Sequence, residues 1–340
     1  MFHVNDLKSS HVNSKVNDEF AKWLESKCGE HGKVKMHHGE VHNYPGMTFD
    51  YSEKGKVKVD MTSHVEDMLN KFPKKLQENE MAMMPAADNL FRKGHGKKLN
   101  QERGENFHCM VTKGLFISKR ARPNIQPMTA GSCTRVKEPD ETDWSKLMRL
   151  MKYLNGTRKR KLTLSADDLQ VIKWHVDAAF AVHPDFKSHT GAAMTMGLGS
   201  LINISRKQKL NTRSSTESEL AGVDDASIMI PWTKLFVEAQ GCVIDKNILC
   251  QDNKSAILLK MNGGKSAGKH SCALNIHHFF ITDQVERGNM TIEYCPTNEM
   301  WGNFQSKPLQ GIKFRKFGAN IMGESTLQCK SRQDIQGLKT

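Results

Sequence analysis

Three strand-type runs in close succession, followed by strands and helices in alternation, restrict residues 169–303 to an α/β arrangement of a sheet with helices packed against it. In the run 169–176, Ile172, Trp174 and Val176 fall on one face, and Lys173, His175 and the following Asp177 on the other, which is the period of a β-strand. The stretches G-A-A-M-T-M-G (191–197) and L-I-N-I-S-R-K (201–207) read as two further strands, with Leu198, Gly199 and Ser200 as the turn between them. A helix opens at S-S-T-E-S-E-L-A-G-V-D-D-A (214–226). A second follows with Pro231 in its first turn and a buried stripe expected at Trp232, Leu235, Phe236 and Ala239. Residues 247–250 form a brief apolar strand, and Asp252 and Asn253 open a helix bearing Ala256, Ile257, Leu258 and Met261. A loop rich in Gly, Lys and Ser (263–269) leads to a helix around 273–287, residues 290–295 make the fifth strand, and a last helix holds Asn303.

Composition narrows the partner before any motif is considered. At 340 residues the chain is long enough for two domains of ordinary size, and a formal charge of +13 favours a polyanion, since Lys and Arg gain affinity by releasing counterions from phosphates. A run of about 18 apolar residues is absent, and M-F-H-V-N-D at the start does not read as a secretory signal, so an intracellular protein without a membrane span is expected. Eight cysteines without C-x-x-C spacing fit reduced thiols better than disulfides or a zinc site. Neighbours along a strand or helix point apart, so His37-His38 and His277-His278 read as surface histidines.

Before residue 165 the clearest element is a helix over about 143–155, where Leu147, Leu150, Met151 and Leu154 recur at helical spacing, with Thr142 or Asp143 as its cap and Gly156 at the stop. The basic run T-R-K-R-K (157–161) that follows reads either as a phosphate grip or as a solvated loop.

The acids of the second half each have two readings. Asp177 is the polar face of its strand or a ligand; Ser214 with Glu217, and Thr216 with Glu219, both satisfy capping-box spacing. Asp252 is an N-cap, or a carboxylate at the C-terminal end of a strand, where ligands bind in α/β sheets.

Five motifs stand in fixed order: W-H-V-D-A-A-F-A-V-H-P (174–184), T-R-S-S-T-E-S-E-L (212–220), Q-D-N-K-S-A-I (251–257), I-E-Y-C-P-T (292–297) and S-K-P-L-Q-G (306–311). Together they closely resemble the ribonuclease H domain at the end of the Pol polyprotein of copia-type LTR retrotransposons. Upstream, F-H-V-N-D-L-K (2–8) resembles the polymerase palm hairpin that ends in two aspartates, and V-H-N-Y-P-G-M (41–47) a following hairpin with Pro45 in place of a leucine. K-R-A-R-P-N-I (119–125) and M-K-Y-L-N-G-T (151–157) resemble the segments leading into the ribonuclease domain. The likeness thus runs over 1–323, with less specific motifs before 165.

This resemblance implies a ribonuclease H-like mixed five-stranded sheet flanked by helices over 166–312. It would be preceded by an incomplete α+β polymerase remnant (palm, thumb and connection) over 1–165, and followed over 313–340 by a C-terminal helix and a disordered tail. The implied activity is metal-dependent endonucleolytic cleavage of the RNA strand of an RNA–DNA hybrid, with two Mg²⁺ or Mn²⁺ ions held by acids. Carried over residue by residue, Asp177, Glu219 and Asp252 are the catalytic acids and metal ligands. Asn303 stands at the fourth acid position, which weakens the two-metal site and impairs activity. The alternative is a catalytically inactive nucleic-acid-binding relic. No polymerase activity is expected, because the strand bearing one metal ligand would precede Met1 and Asn5 replaces the first palm aspartate, leaving Asp6 alone. H-S-C-A-L-N-I-H-H (270–278) has Ala273 where the family has histidine, and Cys272, His277 and His278 where basic residues are expected. Asn5, Asn124 and Asn303 each stand where aspartate fits, and each is one base transition away, the pattern of decay in an element no longer maintained for transposition.

Overall fold

A computed structural model describes residues 2–3, 6–11, 13–31, 33–262 and 280–324. Asn5, the loop 263–269, Cys272, Ala273, His277, His278 and the tail from 325 lie outside the described residues, and so do the expectations placed on them. The chain opens on a short antiparallel ribbon, β1 (Phe2–His3) and β2 (Asp6–Leu7), and helix α1 (Ser14–Cys28). Pro45 and Gly46 then close a hairpin: proline presets the first corner, and Gly46, at φ 72°, takes the left-handed second corner. Strands β3 (Val41–Tyr44) and β4 (Met47–Asp50) are thereby brought into register, with Tyr44 opposite Met47, and β5 (Lys56–Asp60) adds antiparallel to β4.

Four helices follow: α2 (Thr62–Lys71), α3 (Gln101–Ser118), α4 (Gln126–Cys133) and α5 (Glu141–Gly156). In α5 the predicted stripe Leu147, Leu150, Met151 and Leu154 is buried. Its cap is Asp140 rather than Thr142 or Asp143: the Asp140 side chain accepts from the amides of Thr142 and Asp143, and the Asp143 carboxylate accepts from the Asp140 amide, a reciprocal box. The core around these helices, with Met68, Phe107, Ile125 and Met128, also takes in Phe304, Phe314, Phe317 and Ile321 from the C-terminal helices.

The second half builds the expected mixed sheet. Its strands are β7 (Val171–Ala179), β8 (His189–Thr195), β10 (Ile202–Lys207), β11 (Lys246–Gln251) and β12 (Thr291–Tyr294), in the order β10-β8-β7-β11-β12. β10, β8 and β7 run antiparallel to one another, and β11 and β12 run parallel to β7. Parallel neighbours need crossovers. Helices α6 (Ser215–Ser227) and α7 (Met229–Ala239) supply the first, and α8 (Lys254–Asn262) begins the second, which ends through the helical residues 280–286. A meander of three strands extended by two parallel ones, with the first strand at the centre, is the ribonuclease H-like topology.

Three features depart from the sequence reading. The strand read over 191–197 ends at Thr195, and Gly197 with Leu198, the latter read as a turn residue, leaves the sheet as β9 (Gly197–Leu198) to pair with β6 (Leu162–Ala166), which pairs in turn with β5, so a second five-stranded sheet runs β3-β4-β5-β6-β9. Helix α7 buries Ile230 and Thr233 and leaves Trp232, Leu235 and Phe236 exposed, the reverse of the predicted stripe. From Trp174 onward β7 is buried on both faces, although Lys173 is exposed as expected. Ile172, Trp174 and Val176 meet Ala192, Val223 and Leu249, while His175 and Asp177 lie beneath α9 (Gly302–Ser306). That short helix can approach because Gly302 and Gly191 lack side chains: a Cβ on Gly302 would lie 2.8 Å from the Asp177 nitrogen, and one on Gly191 2.3 Å from the Ser306 nitrogen. The chain continues into α10 (Gly311–Met322), stopped by Gly323 in the left-handed region at φ 67°. Among the described residues no helix is long and apolar enough to cross a membrane.

Candidate metal centre

Asp177 lies on the central strand and is 1% exposed. Burial raises its carboxyl above the ordinary value, Lys307 and Ser306 pull it back down, and Asp252 adds to the rise. Ser306 donates a short hydrogen bond to Asp177 Oδ2, and Lys307 Nζ lies 3.2 Å from Oδ1 and 3.0 Å from Oδ2.

Glu219 arrives from α6, and the start of that helix decides which glutamate is available. Ser214 caps it by accepting from the Glu217 amide at 3.1 Å, and the Glu217 carboxylate reaches back to the Arg213 amide at 2.7 Å. Glu217 therefore serves the backbone. Two residues further on, roughly 200° around the helix, Glu219 turns into the protein and is buried. Its Oε2 accepts from Gln251 Nε2 at 3.3 Å.

Asp252 follows the last residue of β11. The N-cap alternative is settled by its neighbour: Asn253 Oδ1 accepts from the Ala256 amide at 3.1 Å, which leaves the Asp252 carboxylate to accept from Thr297 Oγ1 at 2.8 Å. Asp177, Glu219 and Asp252 each present an oxygen within 4.8 Å of the others. Three hard carboxylate oxygens converging from a central strand, a helix and a strand end form a donor set that suits Mg²⁺, Mn²⁺ or Ca²⁺ and suits a soft metal poorly.

Asn303 is 4% exposed and is tied to this triad through Thr297 and Lys307. Its Nδ2 donates to the Thr297 carbonyl at 3.1 Å, and its Oδ1 accepts from Lys307 Nζ at 2.6 Å. Three residues that the sequence reading did not single out hold the site together. Fully buried Gln251 bonds Glu219 through Nε2 and accepts from the Asp252 amide at 2.9 Å through Oε1. Thr297 links Asp252 to Asn303, and Lys307 links Asn303 to Asp177. Each lies within or beside a motif already noted, but a buried glutamine, a threonine and a lysine carry no distinguishing pattern of their own.

The basic run 157–161 is largely committed within the fold. Arg158 donates to Asn155, Arg160 pairs with Glu324 at 2.7 Å and Lys161 with Asp60 at 2.9 Å, while Lys159 is exposed. His38 lies at the surface, 3.9 Å from Asp18. Asn124 is fully buried, accepting from Arg122 Nε at 3.1 Å and donating to Tyr153 at 2.6 Å. All six described cysteines are free thiols.

Fold and site together define an α/β protein with a ribonuclease H-like sheet and a triad of acids at its centre. Its homologues are retrovirus-related Pol polyproteins of copia-type transposons. It is 27% identical over 185 residues to the Pol polyprotein from transposon RE2 of Arabidopsis thaliana, a match covering 54% of this chain and 13% of the relative. To the corresponding polyprotein from transposon RE1 it is 26% identical over 202 residues, covering 59% and 14%. The matched region is thus about one seventh of these relatives' length. No protein-family model matches the chain. Among solved structures, foamy viral protease-reverse transcriptase is similar in two complexes. With double-stranded DNA the TM-score is 0.45 at 10% identity, over 85% of this chain and 44% of the other. With an RNA/DNA hybrid it is 0.46 at 8% identity, over 85% and 34%.

Proposed function

We propose that residues 166–312 act as a ribonuclease H-like, metal-dependent endonuclease on the RNA strand of RNA–DNA hybrids, with Asp177, Glu219 and Asp252 as catalytic acids and ligands to Mg²⁺ or Mn²⁺. In this reading 1–165 derives from a polymerase and carries no polymerase activity, and 313–340 is a C-terminal extension. The observation that carries the reading is the convergence of the three carboxylates from sequence positions 42 and 33 residues apart (219 − 177 and 252 − 219) to within 4.8 Å. Bound divalent ions would activate water and steady the leaving 3′ oxygen. The chain's part is to concentrate negative charge: Gln251 orients Glu219, Thr297 orients Asp252 and Ser306 orients Asp177. The neutral amide of Asn303 contributes no charge at the fourth position, so activity is impaired. A basic chain of this charge suits a nucleic-acid backbone as partner.

The opposing reading, a binding relic without catalysis, draws on that same amide and on the lysine beside it. Cleavage of a labelled RNA–DNA hybrid by the full chain, with Mg²⁺ or Mn²⁺, separates the two when run beside Asp177→Asn and Asn303→Asp. Weak cleavage abolished by Asp177→Asn and strengthened by Asn303→Asp is expected. Binding of the hybrid with no cleavage by the natural chain or by Asn303→Asp would reject the enzyme.

A further inference from the structure

Lys307 brings to the centre a positive charge that a count of acids leaves out. It directly follows α9, and its ammonium lies 3.0 and 3.2 Å from the two oxygens of Asp177 while donating to Asn303 Oδ1 at 2.6 Å. A buried carboxylate such as Asp177 is costly unless it is paired, and here the pairing partner comes from the chain itself. We infer that the Lys307 ammonium is a built-in counter-cation occupying the position between Asp177 and Asn303, where it competes with divalent ions for the centre.

The inference rests on the metal-centre reading above and deepens it. Asp177 is shared: it contributes an oxygen to the triad with Glu219 and Asp252, and both of its oxygens also face the Lys307 ammonium, which bonds Asn303 in turn. An ion entering at the triad must take an oxygen of Asp177 already engaged by Lys307, and a second ion on the Asn303 side would need the place of the ammonium itself. Asn303 offers a neutral oxygen, so nothing there adds the second negative charge that would favour a divalent ion over a monovalent one. The lysine can yield: its side chain is 40% exposed against 2% for that of Asp177, so the ammonium has solvent to withdraw into. The centre therefore takes one divalent ion with reduced affinity and admits a second only when Lys307 leaves.

Mn²⁺ titration of the full chain, followed by the electron-spin resonance of free Mn²⁺ and independent of catalysis, tests this. Lys307→Met removes the charge and keeps the stem; it should tighten Mn²⁺ binding about two- to fivefold, the range for releasing a partly exposed ion pair. Lys307→Arg keeps the charge and should bind as the natural chain does. Circular dichroism of each variant without metal establishes that it is folded. Equal affinity of the natural chain and folded Lys307→Met overturns the inference and leaves the metal centre standing. Absence of binding in both overturns the metal centre as well, whereas binding by Lys307→Met alone supports a complete block by the lysine.

Discussion

Gly191→Ala tests whether the seating of α9 on β7 and β8 is as tight as the fold requires. A Cβ at this position would stand 2.3 Å from the Ser306 nitrogen, 2.5 Å from the Gly302 oxygen and 2.6 Å from the Gln305 carbon. All three are backbone atoms, so no side chain can swing aside. Heavy atoms settle at about 3.5–4.0 Å, and relieving the overlap means a retreat of α9 by roughly 1 Å. Overpacking of this kind costs about 1–3 kcal/mol, and each hydrogen bond lost about 1 kcal/mol more. The bond from Ser205 Oγ to the Gln305 carbonyl at 2.7 Å and the contacts of Ser306 and Lys307 with Asp177 cross this seam. The expected loss is therefore roughly 3–5 kcal/mol, a fall in the urea midpoint of about 1 M or more. Gly104→Ala in α3 is the control, since nothing lies within 4 Å of its added Cβ, and it should stabilise by about 0.5–1 kcal/mol through helix propensity. Equilibrium urea unfolding measures both. A Gly191→Ala variant within about 0.5 kcal/mol of the natural chain would refute the argument that α9 is held against the strands by this close approach.

The buried pair His183 and His189, 3.0 Å apart with both rings tilted against Phe91, makes stability depend on pH. Burial lowers His183 to about 4 and His189 well below its ordinary value, so the unfolded chain binds more protons. Their contribution is complete above about pH 6.5 and is lost as pH falls through the folded values, and replacing both by Gln should flatten that part of a stability–pH curve; an unchanged slope would count against it. In α7, Ile230→Ala should cost about 2–5 kcal/mol and Phe236→Ser less than about 0.5 kcal/mol; the opposite ranking by urea unfolding would restore the face predicted from the sequence. Gln251→Leu releases Glu219 and the Asp252 amide together and should weaken Mn²⁺ binding about 10- to 100-fold by titration, with an unchanged affinity excluding a positioning role.

Local signals in the sequence determined much of the scaffold. Period-two alternation marked β7, helical spacing marked the buried stripe of α5, and the order of elements marked an α/β sheet, while the hairpin around Pro45-Gly46 was legible only through the family resemblance. The motifs also singled out Asp177, Glu219 and Asp252, which the fold brings together. Whatever depended on a distant partner was not legible. α7 carries apolar residues on more than one side, so periodicity could not choose which side is buried until β11 and the 280–286 helix took their places. Gly197 reads as the end of one strand and Leu198 as a turn, yet together they become β9 because β6 offers an open edge. The division of labour between Asn253 as cap and Asp252 as a member of the acid triad, and between Glu217 and Glu219, follows from hydrogen bonds that residue type alone does not assign. The place of Lys307 is the plainest case. Nothing in S-K-P-L states that its ammonium lies against Asp177, 130 positions earlier, because that contact exists only once two glycines let α9 settle on the central strands. Chain-local chemistry selects the elements, whereas the centre's charge is set by long-range packing, which brings a lysine and three acids into one low-dielectric space.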